Sequence, residues 1–168
     1  MTLAVRDASL EDAAAITAIY NAARTGVVSF DTEIATVEET REDLRTNLGR
    51  FPAVVVQAGG DVVAFASTAP YRPHPCYDGV ADFSVYVAPA AQRRGAGRLA
   101  LATLLERASA AGLHKLLSRI IVDNVASRAL CASFGFREVG VYERHGRVDG
   151  VWRDCVIVER LVREVPRR

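Results

Sequence analysis

Residues 92–97 read QRRGAG and run straight into Arg98, so Arg93, Arg94 and Arg98 gather around Gly95, Ala96 and Gly97 where an amphipathic segment begins. Glycines let successive backbone N–H groups converge, and the positive end of the following helix dipole points at the same place. That chemistry suits phosphate or pyrophosphate. A P-loop would need a Lys-Ser/Thr pair after the last glycine, where Arg98-Leu99 stand, and fits poorly. A dinucleotide fingerprint would need a third glycine and an acidic residue about 20 positions on, and neither is present. The plain alternative for the hexapeptide alone is a basic turn that holds nothing.

Composition makes any such anion site local. The 168 residues are 50% hydrophobic and 24% charged, as expected of a single globular domain, 1–168, that buries a substantial core. Lys plus Arg number 21 against 20 for Asp plus Glu, a net charge of +1, so no global field draws nucleic acid or an anionic membrane. Cys76, Cys131 and Cys155 are scattered, with no C-x-x-C pair, which argues against a disulfide framework and a zinc site. The first residues, MTLAVRDASLED, turn acidic too early for a signal peptide. No apolar run reaches the about 20 residues that cross a membrane. A reduced, cytoplasmic setting is the expectation.

The elements around the glycine loop follow from hydrophobic period. Residues 3–5 alternate as a short strand; Ser9 to Asp12 form a capping pattern, and Ile16, Ile19, Tyr20 and Ala23 follow at helical spacing. Thr36 opens a second helix with Val37, Leu44 and Leu48 inward. Residues 53–58 and 61–68 flank Gly59-Gly60 as a hairpin, and FSVYV at 83–87 is a strand stopped by Pro89. Leu101, Leu104, Leu105 and Ala108 share one face of the next helix, which Gly112 ends. A strand at 116–122, a helix at 125–134 and two strands joined at Asp149-Gly150 complete the chain. The order β-α-α-β-β-β-α-β-α-β-β makes an α/β domain with a mixed sheet.

In that context the strand, the proline-stopped turn, Q-R-R-G-A-G, the long helix, N-x-x-S at Asn124 and Ser127, and F-G-F at 134–136 together resemble the acyl-CoA site of the GNAT superfamily of N-acetyltransferases. Within it the chain looks most like the branch of phosphinothricin and methionine sulfoximine N-acetyltransferases, on APYRPHPCYDG, DFSVYV, SFDTE and the late G-x-x-D-G-x-W-x-D. The resemblance implies a single-domain fold whose mixed, mostly antiparallel central sheet is flanked by helices. It implies acetyl-CoA as co-substrate and no metal, with the 5′ pyrophosphate of coenzyme A held by Arg93, Arg94, Gly95, Ala96, Gly97 and Arg98. Val85, Tyr86 and Val87 would splay from the neighbouring strand and bind the pantetheine arm through main-chain groups, one N–H facing the thioester oxygen. Asn124 and Ser133 would be further cofactor contacts, though an Asn at a helix start is also an ordinary cap.

On the acceptor side an ammonium must lose a proton, and a carboxylate nearby, directly or through water, can take it. Asp82 matches the position where this branch usually carries Glu; one methylene shorter, it favours a water relay. Arg72 is expected to grip a substrate carboxylate through two parallel hydrogen bonds. His74 stands where the branch often has a second basic residue, and Pro75, Cys76, Tyr77 and Phe30 would line the pocket. Cys131 falls where many members place a tyrosine that protonates the leaving thiolate, and it is assigned no catalytic role. His114 and His145 lie in charged stretches and carry no motif. Trp152 and Asp154 shape the last strands, and membership of the branch implies a homodimer. The expected activity is acetyl transfer to the primary amine of a small amino-acid-like molecule. The rivals are an N-terminal peptide amine, an aminoglycoside-type amine, or a non-catalytic acyl-CoA sensor.

Overall fold

The computed structural model describes residues 2–24, 28–31 and 33–166, so Thr25, Gly26, Val27 and Thr32 of the TGVVSFDTE segment lie outside the described residues. Its elements are β1 (Leu3–Asp7), α1 (Ala13–Ala23), α2 (Val37–Asn47), β2 (Ala53–Ala58), β3 (Asp61–Pro70), β4 (Val80–Val87), α3 (Ala96–Ala110), β5 (Lys115–Ile121), α4 (Val125–Ser133), β6 (Arg137–Val148) and β7 (Val151–Leu161). The strands form one seven-stranded sheet of order β1-β2-β3-β4-β5-β7-β6. Every neighbouring pair is antiparallel except β4 and β5, so the sheet is mixed and mostly antiparallel.

Around β2 and β3 both sheet faces are covered, which is why these strands read as near-continuous apolar runs. On one face Val54, Val56, Phe83 and Leu116 pack with Leu101 and Leu104 of α3. On the other, Val55 and Phe65 pack with Ile16, Ile19 and Leu44 of α1 and α2. The alternation of Val54, Val55 and Val56 between the two cores is the period-2 pleat of β2. α2 is held differently from the expectation. Thr36 and Glu39 cap its start reciprocally, Thr36 Oγ1 accepting from Glu39 N–H at 3.2 Å and Glu39 Oε2 from Thr36 N–H at 2.8 Å. Val37, expected inward, stays 37% exposed, so Leu44 and the cap hold the helix rather than an apolar stripe.

A single turn of 3-10 helix, Leu10–Asp12, leads into α1. Asp12 is buried there and accepts two bonds from the Arg6 guanidinium, at 2.8 and 2.7 Å, and one from Ser9 N–H at 2.8 Å. β4 begins at Val80, three residues ahead of its expected start, because Val80, Ala81 and Asp82 pair with Lys115, Leu116 and Leu117 of β5. Asp82 therefore sits inside the strand. Among the described residues no helix is long and apolar enough to cross a membrane, and no three His, Cys, Asp or Glu side chains cluster as a metal site.

Candidate active site

The parallel β4–β5 ladder lasts only from Val80↔Lys115 to Asp82↔Leu117, while β4 stays paired with β3 as far as Val87↔Ala64. Beyond Asp82 the two central strands part, and one edge of β4 is open. Which residues face that gap follows from the pleat. Ala88 N–H donates to the Val63 carbonyl of the β3 side at 2.8 Å, so the main-chain groups of Ser84 and Tyr86 also turn toward β3. Those of Phe83, Val85 and Val87 turn toward the gap. The main-chain donors nearest Tyr86 that face the opening thus belong to Val85 and Val87, not to Tyr86 itself. Its ring lies instead in the second core, stacked on Phe65 at 5.3 Å and edge-on to Tyr20 at 5.1 Å.

At the end of β4 the chain turns through Pro89–Ala91 and enters the basic loop. Arg93 and Gly95 both have positive φ, 59° and 89°, which curls the backbone ahead of α3. The Gly95 carbonyl accepts the first helical bond from Leu99 N–H at 3.0 Å, so the N–H groups of Ala96, Gly97 and Arg98 precede it and have no intrahelical partner. Gly95 is needed for its φ. An added Cβ there would meet nothing within 4 Å, whereas at Gly97 it would stand 3.1 Å from Val87 Cγ2. The loop's cations divide. Arg93 and Arg94 are exposed, while Arg98 donates to Ser133 Oγ at 3.2 Å and lies 4.9 Å over the Phe134 ring. Arg98 and Ser133, far apart in sequence, thus meet beside the helix start. Asn124 caps α4, its Oδ1 accepting from Ser127 N–H at 3.1 Å, which leaves its amide NH2 as the part available to a ligand.

Asp82 lies at the fork. Its Oδ2 accepts from Arg119 Nη2 at 3.0 Å across the opening strands, and its Oδ1 is buried without a partner. Burial raises the Asp82 pKa above the ordinary carboxylate value, outweighing the lowering by Arg119. Asp82 itself lines no cavity, but residues that flank or pair with it line three: Ala69 and Ser84 the first, Arg119 the second, and Pro70 and Val80 the third. The largest, about 770 Å³, lies between α1, α2 and the sheet, with Phe30, Ser84 and Tyr86 in its wall together with Asp31, Glu39 and Asp43. A second, about 430 Å³, shares Phe30, Asp31 and Tyr86 and adds Arg119, Ile121 and His145. The third, about 340 Å³, holds Arg72, Pro75 and Tyr77 and touches the first through Phe51.

The residues expected to bind the acceptor are therefore divided. Phe30 faces the two cavities that Tyr86 of β4 also lines, whereas Arg72, Pro75 and Tyr77 line the third. Arg72 is exposed with its guanidinium over the Tyr71 and Tyr77 rings, 5.2 and 5.8 Å from their centroids. His74 is exposed and 6.4 Å from the Tyr77 ring; Cys76 is exposed as well. Cys131 is 2% exposed and its thiol is pushed up to about 11 by burial, so it serves packing.

Two residues near the site are given no role by the sequence: Arg119 is not singled out there, and His145 is set aside as carrying no motif. Arg119 is a charge inside the apolar run LLSRII, a signal that one side of a buried strand faces something polar. His145 is brought in by a bulge: Tyr142 pairs with Cys155 and Gly146 with Arg153, leaving extra residues on β6. Arg144 takes a φ of 48° there and its N–H donates to Asp154 Oδ1 at 2.7 Å. The bulge sets the His145 ring edge-on to Phe30 at 5.8 Å.

Residues 14–136 match the acetyltransferase (GNAT) family. Over 161 residues the chain is 37% identical to a phosphinothricin N-acetyltransferase of Streptomyces coelicolor, covering 93% of this chain and 94% of that protein. An L-methionine sulfoximine/L-methionine sulfone acetyltransferase of Pseudomonas aeruginosa is 32% identical over 162 residues, covering 95% of this chain and 94% of its own length. The fold superposes, with a TM-score of 0.90 and 28% identity, on a GNAT superfamily phosphinothricin acetyltransferase of Sinorhizobium meliloti solved in complex with AcCoA, over 96% of this chain and 89% of that one.

Proposed function

The chain belongs to the acetyltransferase (GNAT) family and is an acetyl-CoA-dependent N-acetyltransferase; on that premise we propose that it acetylates the primary amine of a small amino-acid-like acceptor by direct attack in a ternary complex. Acetyl-CoA, when bound, supplies the activated acetyl group. The observation that carries the reading is the fork: β4 loses β5 after Asp82, and the N–H groups of Val85 and Val87 face the opening that leads to the Gly95 loop.

In this proposal the N–H groups at the start of α3 hold the diphosphate, with Arg93 and Arg94 adding charge from solvent and Arg98 braced on Ser133. Val85 and Val87 bind the pantetheine arm, and one of their N–H groups stabilises charge on the thioester oxygen. Asn124 donates its amide to the same arm. Asp82 takes the ammonium proton, which its raised pKa suits better than an ordinary carboxylate would. Phe30 bounds the acceptor. Arg72, with Pro75 and Tyr77 beside it and His74 and Cys76 at the rim, draws an anionic acceptor toward the mouth. The compartment proposed is the cytoplasm and the assembly a homodimer, supported by exposed Val139, Val141 and Trp152 on the terminal strands. Sedimentation as a monomer across working concentrations would remove the dimer.

A second reading, an acceptor with several amines, is favoured by Asp31, Glu33, Glu39 and Asp43 in the wall of the largest cavity. One experiment separates them: thiol release from acetyl-CoA over a panel of free amino acids, methionine sulfoximine, phosphinothricin, N-terminal peptides and aminoglycosides. Turnover of the amino-acid group above the rest is expected. Release with none of them would make the chain an acyl-CoA sensor and end the proposal.

A further inference from the structure

Arg119 stands between the base and the acceptor. Of the ion pair, it is Arg119 and not Asp82 that lines the cavity shared with Phe30, Tyr86 and His145. Its guanidinium spends one N–H on Asp82 Oδ2, its side chain is 45% exposed, and as a residue of that cavity's wall it has further N–H donors to offer a ligand. An amine entering beside Phe30 would meet a cation before it met the carboxylate that must deprotonate it. For a plain amine that order is unfavourable. For an α-amino acid, which carries a carboxylate and an ammonium on one carbon, it is complementary.

We propose that Arg119 is the specificity residue of the acceptor site: it exchanges Asp82 for the carboxylate of the acceptor and so releases Asp82 to take the ammonium proton. The inference rests on the acetyl-transfer reading above and deepens it. The substrate's two charges replace the Arg119–Asp82 pair with two pairs of the same kind, carboxylate on guanidinium and ammonium on Asp82, without leaving a buried charge alone. Asp82 Oδ1 is buried and has no partner, so it is free to accept once Arg119 turns to the acceptor's carboxylate, and Ile121, Phe30 and Tyr86 line the cavity for the acceptor's side chain. Charged or titratable groups facing Arg119 are Asp82 from β4, Tyr86 and Asp31 across the cavity, His145 from β6 and the buried Cys155 of β7. Asp31 opposes a carboxylate in the cavity, and its neighbour Tyr20 holds it by a hydrogen bond.

The test compares methionine with 3-(methylthio)propylamine, which differ only by the carboxylate, in the wild-type enzyme and in Arg119→Met and Arg119→Lys. The wild type should prefer the amino acid in kcat/KM by about tenfold to a hundredfold, the worth of the charge-assisted hydrogen-bonded pair that only the amino acid adds. Arg119→Met should bring the ratio close to one, with Arg119→Lys in between, while calorimetry shows that both variants still bind coenzyme A. A second readout separates this role from a merely structural one. Arg119 lowers the pKa of Asp82 while paired, so withdrawing it moves the acidic limb of the kcat profile to higher pH. In the wild type that limb should lie higher with methionine than with the amine, and in Arg119→Met the two limbs should coincide. An undiminished preference in Arg119→Met, or coincident limbs in the wild type, would overturn the assignment while leaving acetyl transfer intact. If the wild type releases no thiol with any amine, the underlying reading fails and this inference with it.

Discussion

Gly97 of α3 and Val87 of β4 approach so closely that a Cβ on the glycine would stand 3.1 Å from Val87 Cγ2. The contact draws the start of α3 against the strand whose open edge faces the fork. Gly97→Val should push the two apart at a cost of about 1–3 kcal/mol and raise the KM for acetyl-CoA more than it lowers kcat. Steady-state kinetics with urea unfolding checks both.

Gly95 offers a different kind of test, because space is available there and only its φ of 89° is special. Gly95→Val should cost about 1–2 kcal/mol of backbone strain and raise the KM for acetyl-CoA sharply; Gly95→Asn, which tolerates positive φ, should retain most of the affinity. Equal affinities across the three proteins would remove the loop from cofactor binding.

Asp82→Asn keeps the shape and removes the base, so kcat should fall by about a hundredfold to ten-thousandfold. In the wild type, activity needs the ionised carboxylate. It should be lost as pH falls through a pKa that lies above the ordinary carboxylate value, because burial disfavours the charge. A pH–rate profile whose acidic limb is unchanged in Asp82→Asn would transfer the role to another group.

How much of this was legible without coordinates depends on range. The order of helices and strands follows from local period, and the glycine loop from residue types in a row. The helix start at Thr36 is legible in the right place, but the reciprocal cap with Glu39 that holds it shows only in the structure. What depends on strands meeting did not show: β4 begins at Val80 because β5 lies beside it, and the fork exists because that pairing stops at Asp82. The division of Phe30 from Arg72 between cavities is likewise a property of packing. Arg119 and His145 carry no motif, and only the sheet register and the β6 bulge bring them to the site.

Arg98 braces the loop on Ser133 and Phe134 while its charge sits near the helix start. Arg98→Ala should raise the KM for acetyl-CoA by about tenfold with a smaller effect on kcat, and Ser133→Ala by less. A loss confined to kcat would contradict a cofactor-side role.

Among the described residues, the most buried carboxylate in an ion pair lies away from the site. Asp12 is held by Arg6 and Ser9, which depress its pKa below the ordinary carboxylate value. A depressed pKa contributes stability that is present above the unfolded-state value and is lost as pH falls through the folded one. Arg6→Leu should cost about 2–3 kcal/mol at neutral pH, since it strands a buried charge, and should cost less once acid protonates Asp12. Urea unfolding at pH 7 and below pH 3 measures the difference.

The most direct measurement is the structure of the protein crystallised with coenzyme A. The account predicts the diphosphate on the N–H groups from Gly95 to Arg98, and the pantetheine arm hydrogen-bonded to Val85 and Val87 in the opening between β4 and β5. Coenzyme A bound elsewhere, with that opening vacant, would contradict it.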